Sequence, residues 1–254
     1  MKYLITGDYH IFQPLGLESV IEKEAPDILI SLGDFDWVGQ AEDFLRIRGR
    51  VKERIEVAGN HDHAIFNNIE IEAPVLEDVT KRTGKTWTIK DVHEELMKNE
   101  AVREYFAGLL KPENLVKKFQ IGDFRAVVVH GAYYGSFQTA PIELREPYFN
   151  LWYRIIEEPP FILPNLMGNF SIMKANGENL MIRGHDHFAF HGCVKDGITS
   201  YQFNPEKIEM ESSSMHIISP GPFYDGNYAV LEVLSKSRIK ASFRVFNHYL
   251  VAKK

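Results

Sequence analysis

Apolar and polar residues alternate in blocks along the first third of the chain, and each block predicts one element. Three short apolar runs predict buried strands, at residues 3–6, 27–33 and 54–59. The segments between them have helical spacing, at residues 15–25 and 39–50, and Pro26 ends the first. Strands that alternate with helices at this spacing indicate a parallel sheet with crossover helices.

The rest of the chain shows longer and more varied blocks. Residues 88–110 predict one helix, with Thr88 or Asp91 as its N-cap. Further patterns predict a hairpin at 117–131 that turns at Gly122-Asp123, a strand at 179–184 and a period-2 strand at 238–246. We interpret the chain as one domain, residues 1–254, with two insertions. The first, at about 63–118, is partly helical, and the second, at about 132–178, is aromatic-rich and a candidate cap.

Composition narrows the class of protein. Hydrophobic residues make up 44% of the 254 positions and charged residues 25%, which is typical of a globular chain. The net charge of −6 argues against a large nucleic acid as partner. Cys193 is the only cysteine, which favours a reducing compartment. Gly7 and Asp8 interrupt the first apolar run, and no run approaches the roughly 20 residues of a membrane span. We therefore expect a soluble, cytoplasmic protein with no membrane partner.

Five apolar runs stop at a side chain that can bind a metal. These side chains are Asp8 and His10, Asp34 and Asp36, Asn60 and His61, His130, and His185 and His187. Each motif alone also fits a turn or a solvated loop, but all five follow their own strand. Because the carboxyl ends of parallel strands open onto one crevice, we expect one shared site. Glycine precedes the first polar residue in four of the five motifs, and we expect it to let the backbone turn sharply.

The residue types at these strand ends indicate two cations. Seven side chains could ligate, which are Asp8, His10, Asp34, Asn60, His130, His185 and His187. A single tetrahedral zinc ion would be saturated by four. Two ions need a bridging carboxylate, for which Asp34 is the natural choice, and such pairs serve phosphoryl displacement. Nitrogen and carboxylate ligands favour divalent transition ions, manganese first, with iron, zinc, cobalt or nickel as alternatives.

The order of the motifs resembles that of the calcineurin-like metallophosphoesterase superfamily. The matching motifs are Asp8-x-His10, Gly33-Asp34, Gly59-Asn60-His61-Asp62, His130-Gly131 and Gly184-His185-x-His187. The segment 219–233 resembles the family's closing strands. The resemblance implies an α/β fold, a four-layer α-β-β-α sandwich of two mixed β-sheets flanked by helices. It also implies a metal site at the C-terminal ends of the strands.

The resemblance assigns roles to these residues as well. It implies one ion held by Asp8, His10, Asp34 and His187, and a second held by Asp34, Asn60, His130 and His185. His61 corresponds to a non-ligating catalytic histidine that protonates the leaving oxygen or stabilises its charge. The implied reaction is hydrolysis of a phosphate ester by a metal-bound hydroxide.

The sequence departs from the protein serine/threonine phosphatase branch of this superfamily. That branch resembles "GDYVDRG", whereas this chain has "GDFDWVGQ", so Trp37 and Val38 stand where an arginine would bind phosphate. The acid that orients His61 is displaced, which leaves Asp36 or Asp62 as candidates. These departures favour a small or nucleotide-type phosphodiester or phosphomonoester as substrate. A protein phosphatase or nuclease is the alternative, and a non-catalytic metal-binding scaffold is a more remote one.

Three further residues are candidate substrate contacts. His63 follows the Asn60 motif, although a solvated loop histidine is the simpler interpretation. Tyr133 and Tyr134 follow His130 and could roof the site, although aromatic residues often form the core of their own insertion. Asp186 is expected to point away from the ions or to orient a neighbouring histidine.

Overall fold

Strands and helices alternate in the computed structural model, which describes residues 1–10, 12, 14–69, 73–131 and 162–246. The strands are β1 Lys2–Thr6, β2 Ile28–Ser31, β3 Glu53–Glu56, β4 Lys117–Ile121, β5 Phe124–Val129, β6 Leu180–Arg183, β7 Ala189–Lys195, β8 Ile198–Phe203, β9 Lys207–Glu211, β10 Met215–Pro220, β11 Asn227–Ser235 and β12 Arg238–Val245. The helices are α1 Pro14–Glu24, α2 Val38–Arg48, α3 Asn60–Asn67, α4 Ala73–Thr83, α5 Ile89–Lys98, α6 Glu100–Leu109 and α7 Ile162–Asn176. Single 3₁₀ turns lie at Pro112–Asn114 and Phe223–Asp225.

The strands form two mixed sheets. The first has the order β3-β2-β1-β11-β12-β9, in which β1, β2 and β3 are parallel and the other neighbours antiparallel. The second has the order β4-β5-β6-β10-β7-β8, in which β5, β6 and β10 are parallel. The parallel strands of both sheets carry the predicted metal ligands at their carboxyl ends.

Three apolar clusters hold the layers together. Alternate residues of one strand face opposite sides of a sheet, so Ile5 of β1 packs between the sheets and Leu4 packs under helices. The second sheet contributes Val128 and Ile182 to the layer between the sheets. On its outer face, α7 packs Phe170 against the sheet. The predicted four-layer α-β-β-α sandwich is confirmed.

The prediction of one helix over residues 88–110 is wrong, because Asn99 separates α5 from α6. The backbone of Asn99 is extended, with φ −98° and ψ 92°, and its side chain accepts a hydrogen bond from Val102 N to cap α6. Thr88 caps α5 in a capping box with Asp91, as predicted. The break lets α5 and α6 both pack against α2 and α3, the helices that follow two ligand loops.

The two predicted insertions differ in how much of them the structure describes. Helices α4, α5 and α6 account for most of the first, between β3 and β4. Of the second, α7 is described, whereas residues 132–161 lie outside the described ranges. Within the described part of the chain, no helix is long and apolar enough to cross a membrane.

Candidate metal centre

The loops after β1, β2, β3, β5 and β6 meet at one edge of the sandwich. Backbone hydrogen bonds join them in pairs beyond the strand ends. His10 N donates to Asp34 O at 2.6 Å in the first sheet, and Gly184 N donates to His130 O at 2.8 Å in the second. The structure thus brings the seven predicted ligand side chains together, although they come from separate parts of the chain.

The glycines before these motifs act differently from the prediction. Of the four, only Gly33 has a left-handed backbone, with φ 74°. Gly59 and Gly184 instead provide space. A Cβ on Gly59 would lie 2.3 Å from Asp34 Oδ1, and one on Gly184 would lie 2.9 Å from Asp8 Oδ2. They allow the backbone to approach the carboxylates closely.

The left-handed turns fall on the candidate ligands themselves. Positive φ values are found at Asp8 (49°), His10 (40°), Asp34 (79°), His185 (69°) and His187 (55°). Residues other than glycine rarely adopt the left-handed backbone conformation, which costs roughly 1–3 kcal/mol for each residue. Such backbone strain is concentrated at functional sites, where the surrounding structure enforces it.

The first predicted ligand set is tightly clustered. The donor atoms of Asp8, His10, Asp34 and His187 all lie within 4.8 Å of one another. His10 Nε2 lies 3.0 Å from His187 Nε2 and 3.4 Å from Asp34 Oδ2. These four side chains could therefore contact one ion.

The second predicted set shares Asp34 with the first. His130 Nε2 lies 3.1 Å from Asn60 Oδ1 and 3.7 Å from Asp34 Oδ2. The ring centroids of His130 and His185 are 5.2 Å apart. Asp34 Oδ2 thus faces an imidazole of each set, which is the position that a bridging ligand needs.

The two aspartates fit divalent cations. Asp8 Oδ1 accepts a hydrogen bond from His185 N at 2.8 Å, and Asp34 Oδ1 accepts one from His61 N at 2.8 Å. The other oxygen of each carboxylate is buried and has no hydrogen-bond partner among the described residues. Buried carboxylate oxygens are costly without a partner, and a cation would supply one. Nitrogen and oxygen donors are also the set that transition ions accept.

Hydrogen bonds also direct the imidazoles. His130 Nδ1 donates to Leu32 O at 2.7 Å, and His10 Nδ1 donates to Asp36 Oδ1 at 2.9 Å. Each bond places the proton on Nδ1 and leaves the Nε2 lone pair for a ligand.

Asp36 and Asp62, the two acids that the sequence left open, have different contacts. Asp36 Oδ1 accepts a hydrogen bond from His61 Nδ1 at 2.5 Å. Asp62 accepts three backbone N–H bonds, from Asp34 at 3.0 Å, Phe35 at 2.9 Å and Gly59 at 2.7 Å. Asp36 is therefore placed to orient His61, and Asp62 joins two ligand loops.

The charges of the cluster are strongly coupled. Burial and the charge of Asp34 raise the pKa of Asp8 to about 7. Burial lowers the pKa of His130 to about 4, which keeps it neutral, as metal ligation requires. Burial lowers the pKa of His61, but Asp34 and Asp36 raise it more, to about 10. The two carboxylates thus favour the positively charged form of His61.

The remaining candidates do not join the cluster. His63 lies half-buried on α3, so the predicted solvated loop is wrong, and it is not among the residues that line the cavity at the metal site. Asp186 points to Arg183, whose Nε lies 2.8 Å from Asp186 Oδ2 in a buried ion pair. Tyr133 and Tyr134 lie outside the described residues, so their role stays a prediction.

A cavity of about 620 Å³ opens over the cluster and includes residues that the sequence did not indicate. Lys81 and Arg82 of α4 and Tyr224 after β10 line it. The ring centroid of Tyr224 lies 5.2 Å from that of His10. The sequence does contain a signal for Tyr224, because β10 ends at a Pro-Gly turn as other strands of the site end at glycine motifs. It contains no signal that would place α4 at this edge of the sandwich.

Comparisons with known proteins give the family. Residues 1–189 match the calcineurin-like phosphoesterase family, and no curated protein matches the chain significantly. A metallophosphoesterase from Sphaerobacter thermophilus is 18% identical, covers 97% of this chain and 89% of its own, and has a TM-score of 0.56. A hypothetical protein from Pyrococcus horikoshii OT3 is 11% identical, and the match covers 99% of this chain and 90% of that chain with a TM-score of 0.59.

A third similar structure is the purple acid phosphatase PPD1 from yellow lupin. It is 13% identical, with 96% of this chain and 51% of that chain covered and a TM-score of 0.51. At these identities the three structures show the fold alone. The family match spans most of the chain and confirms the resemblance seen in the motifs. The chain therefore belongs to the calcineurin-like phosphoesterases, hydrolases of phosphate ester bonds whose family chemistry implies divalent metal ions.

Proposed function

We propose that this phosphoesterase uses two divalent transition ions, manganese first, to hydrolyse a small or nucleotide-type phosphodiester or phosphomonoester. The convergence of both ligand sets on Asp34 Oδ2 carries the proposal, with His10 Nε2 at 3.4 Å and His130 Nε2 at 3.7 Å. Asp8, His10, Asp34 and His187 would hold one ion, and Asp34, Asn60, His130 and His185 the other. When bound, such ions lower the pKa of water to supply a nucleophile and offset the charge of the phosphate.

His61 supplies the proton for the leaving oxygen in this scheme. It lines the cavity, and its Nδ1 is occupied by Asp36 at 2.5 Å. The carboxylate fixes the ring and favours the protonated form, so Nε2 can donate toward bound substrate. Asp36 also accepts a hydrogen bond from His10 Nδ1, so one carboxylate orients both a candidate metal ligand and the proton donor.

The size of the cavity supports a small substrate. Its volume of about 620 Å³ is within the range of roughly 300–1,000 Å³ that small-molecule sites occupy. On the wall formed by α4, Lys81 pairs with Asp78 at 2.8 Å, and Arg82 adds a positive charge, which suits an anionic ester. The alternative function, a metal-binding scaffold, gives no reason for a non-ligating histidine that Asp36 holds beside the ligands.

Metal removal and replacement tests the proposal. The chelated protein should hydrolyse neither an aryl phosphate diester nor the matching monoester, and Mn²⁺ should restore activity on at least one. His187→Asn should weaken the restoration, whereas His63→Asn serves as the matched control outside the cavity. A protein that binds Mn²⁺ but hydrolyses neither ester with any transition ion would support the scaffold instead.

A further inference from the structure

A second, smaller pocket adjoins the cavity at the metal site. It has a volume of about 240 Å³, and its lining includes the apolar residues Phe12, Trp37 and Val79 and the polar residues Gln40, Asp43 and Arg82. Arg82 also lines the larger cavity, so the two spaces meet there. Phe12 and Trp37 follow His10 and Asp36 closely in the chain, so the loops that carry the cluster also form this pocket.

Trp37 forms a fixed wall of the pocket. Its Nε1 donates to Glu95 Oε2 of α5 at 3.0 Å, and Trp87 packs with a ring-centroid distance of 6.3 Å. Gly39 provides the space for the ring, because a Cβ there would lie 2.9 Å from the ring atoms. An indole held from three sides keeps its shape without a ligand, which lowers the entropic cost of stacking a flat group on it.

Arg82 is a cation with no short ion pair among the described residues, and Asp78 acts on its charge from a greater distance. Among the described residues no carboxylate lies within 4 Å of its guanidinium, and its hydrogen bond to Phe12 O is long, at 3.4 Å. Partial burial lowers the pKa of Arg82. Lys81, the next residue, pairs instead with Asp78 at 2.8 Å. A guanidinium has five N–H donors, so Arg82 has donors left for a phosphate oxygen.

We propose that the smaller pocket binds a flat ring of the substrate's organic group, of the size and polarity of a nucleobase. Arg82, at the junction, donates to a non-bridging oxygen of the ester while the ring stacks beside Trp37. This inference rests on the proposed phosphoesterase function and specifies its substrate class, a nucleoside phosphate ester. Gln40 and Asp43 provide polar contacts at the edge of the ring.

Two esters with the same leaving group and charge test the subsite. Thymidine 5′-(p-nitrophenyl phosphate) and methyl p-nitrophenyl phosphate differ only in the organic group. Val79→Phe fills the pocket from α4, and Asp43→Tyr, at a half-buried position, fills it from α2. In each variant the ratio of kcat/KM for the nucleoside ester to that for the methyl ester should fall about tenfold or more, the range of one lost base stack. Glu77→Phe, at an exposed position of α4 outside both cavities, is the control and should keep the ratio.

Binding gives a readout that does not depend on hydrolysis. Calorimetry on the chelated protein, which should hydrolyse neither ligand, should show thymidine 5′-monophosphate binding about tenfold more tightly than deoxyribose 5-phosphate, and both filling variants should remove the difference. Arg82→Gln should weaken both ligands. If the two ligands bind alike, or the filling variants leave the ratios within twofold, the subsite is refuted. Absence of hydrolysis with the binding preference intact would refute the catalytic proposal and leave the subsite standing.

Discussion

Replacement of His61 by asparagine tests the division of labour within the Asn60-His61 motif. The side chain of His61 contacts Asp36, whereas its backbone N donates to Asp34 Oδ1 at 2.8 Å. Asparagine removes the proton donor and keeps the backbone bond, so the ligand loops should stay in place. General acid assistance contributes about 10²–10⁴-fold, or about 2.7–5.4 kcal/mol at about 1.36 kcal/mol per tenfold change in rate.

The loss should depend on the leaving group. An alkyl phosphate ester needs a proton on its leaving oxygen, so His61→Asn should approach the upper end of that range. A p-nitrophenyl ester leaves as a stable anion, so the loss should be near or below the lower end. Steady-state kinetics on both esters measures this difference, and His63→Asn on the same helix is the matched control.

Metal content decides what a loss of activity means. His61 is not one of the four clustered donors, so elemental analysis of His61→Asn should give the wild-type metal content. However, donor atoms of His10, Asp36 and His61 also lie within 4.8 Å of one another and could hold an ion. Loss of an ion on substitution, or full activity toward the alkyl ester, would refute the catalytic role of His61.

Three other perturbations follow from the structure. Asp34→Asn should lower Mn²⁺ affinity for both ions in a calorimetric titration, and loss of only one would contradict the bridge. Gly59→Ala places a Cβ 2.3 Å from Asp34 Oδ1 and should lower the unfolding free energy by about 1–3 kcal/mol, whereas Gly108→Ala, with open space around it, should raise it by about 0.5–1 kcal/mol. Burial lowers the pKa of both His191 and His216 to about 4 in the folded protein, whereas an exposed histidine has a pKa of 6.5. Below pH 6.5 the unfolded chain therefore binds more protons at these two residues than the folded protein does. The resulting stability is fully present above about pH 6.5 and is lost as the pH falls toward 4, by up to about 3 kcal/mol per histidine. Urea unfolding of the double glutamine variant should therefore depend less on pH over this window, and an unchanged slope would refute the assignment.

Much of the fold and site could be predicted because polar residues at strand ends are visible in the sequence. A parallel arrangement of β1, β2 and β3 follows from their alternation with helices, and it brings Asp8, Asp34 and Asn60 to one edge. The break at Asn99 could not be predicted, because the apolar spacing continues across it and a single side-chain cap decides the geometry. The sequence also could not decide which of Asp36 and Asp62 contacts His61, because the orientation of each side chain depends on tertiary contacts.

The substrate side of the site was less accessible to prediction. Arg82 lies far from every ligand motif in the sequence, and only the packing of α4 places it on the cavity wall. Gly59 and Gly184 suggested turns, but they provide space for carboxylates, which depends on a contact between loops. In both cases the property belongs to pairs of segments, and a pattern within one segment does not show it.

Anomalous diffraction from crystals grown with Mn²⁺ tests the central claim most directly. The account predicts two manganese peaks about 3.5–4 Å apart with Asp34 Oδ2 between them, one against His10 and His187 and the other against Asn60 and His130. A single peak at saturating Mn²⁺, or a peak held by Asp36 and His61, would contradict the dinuclear centre proposed for this phosphoesterase.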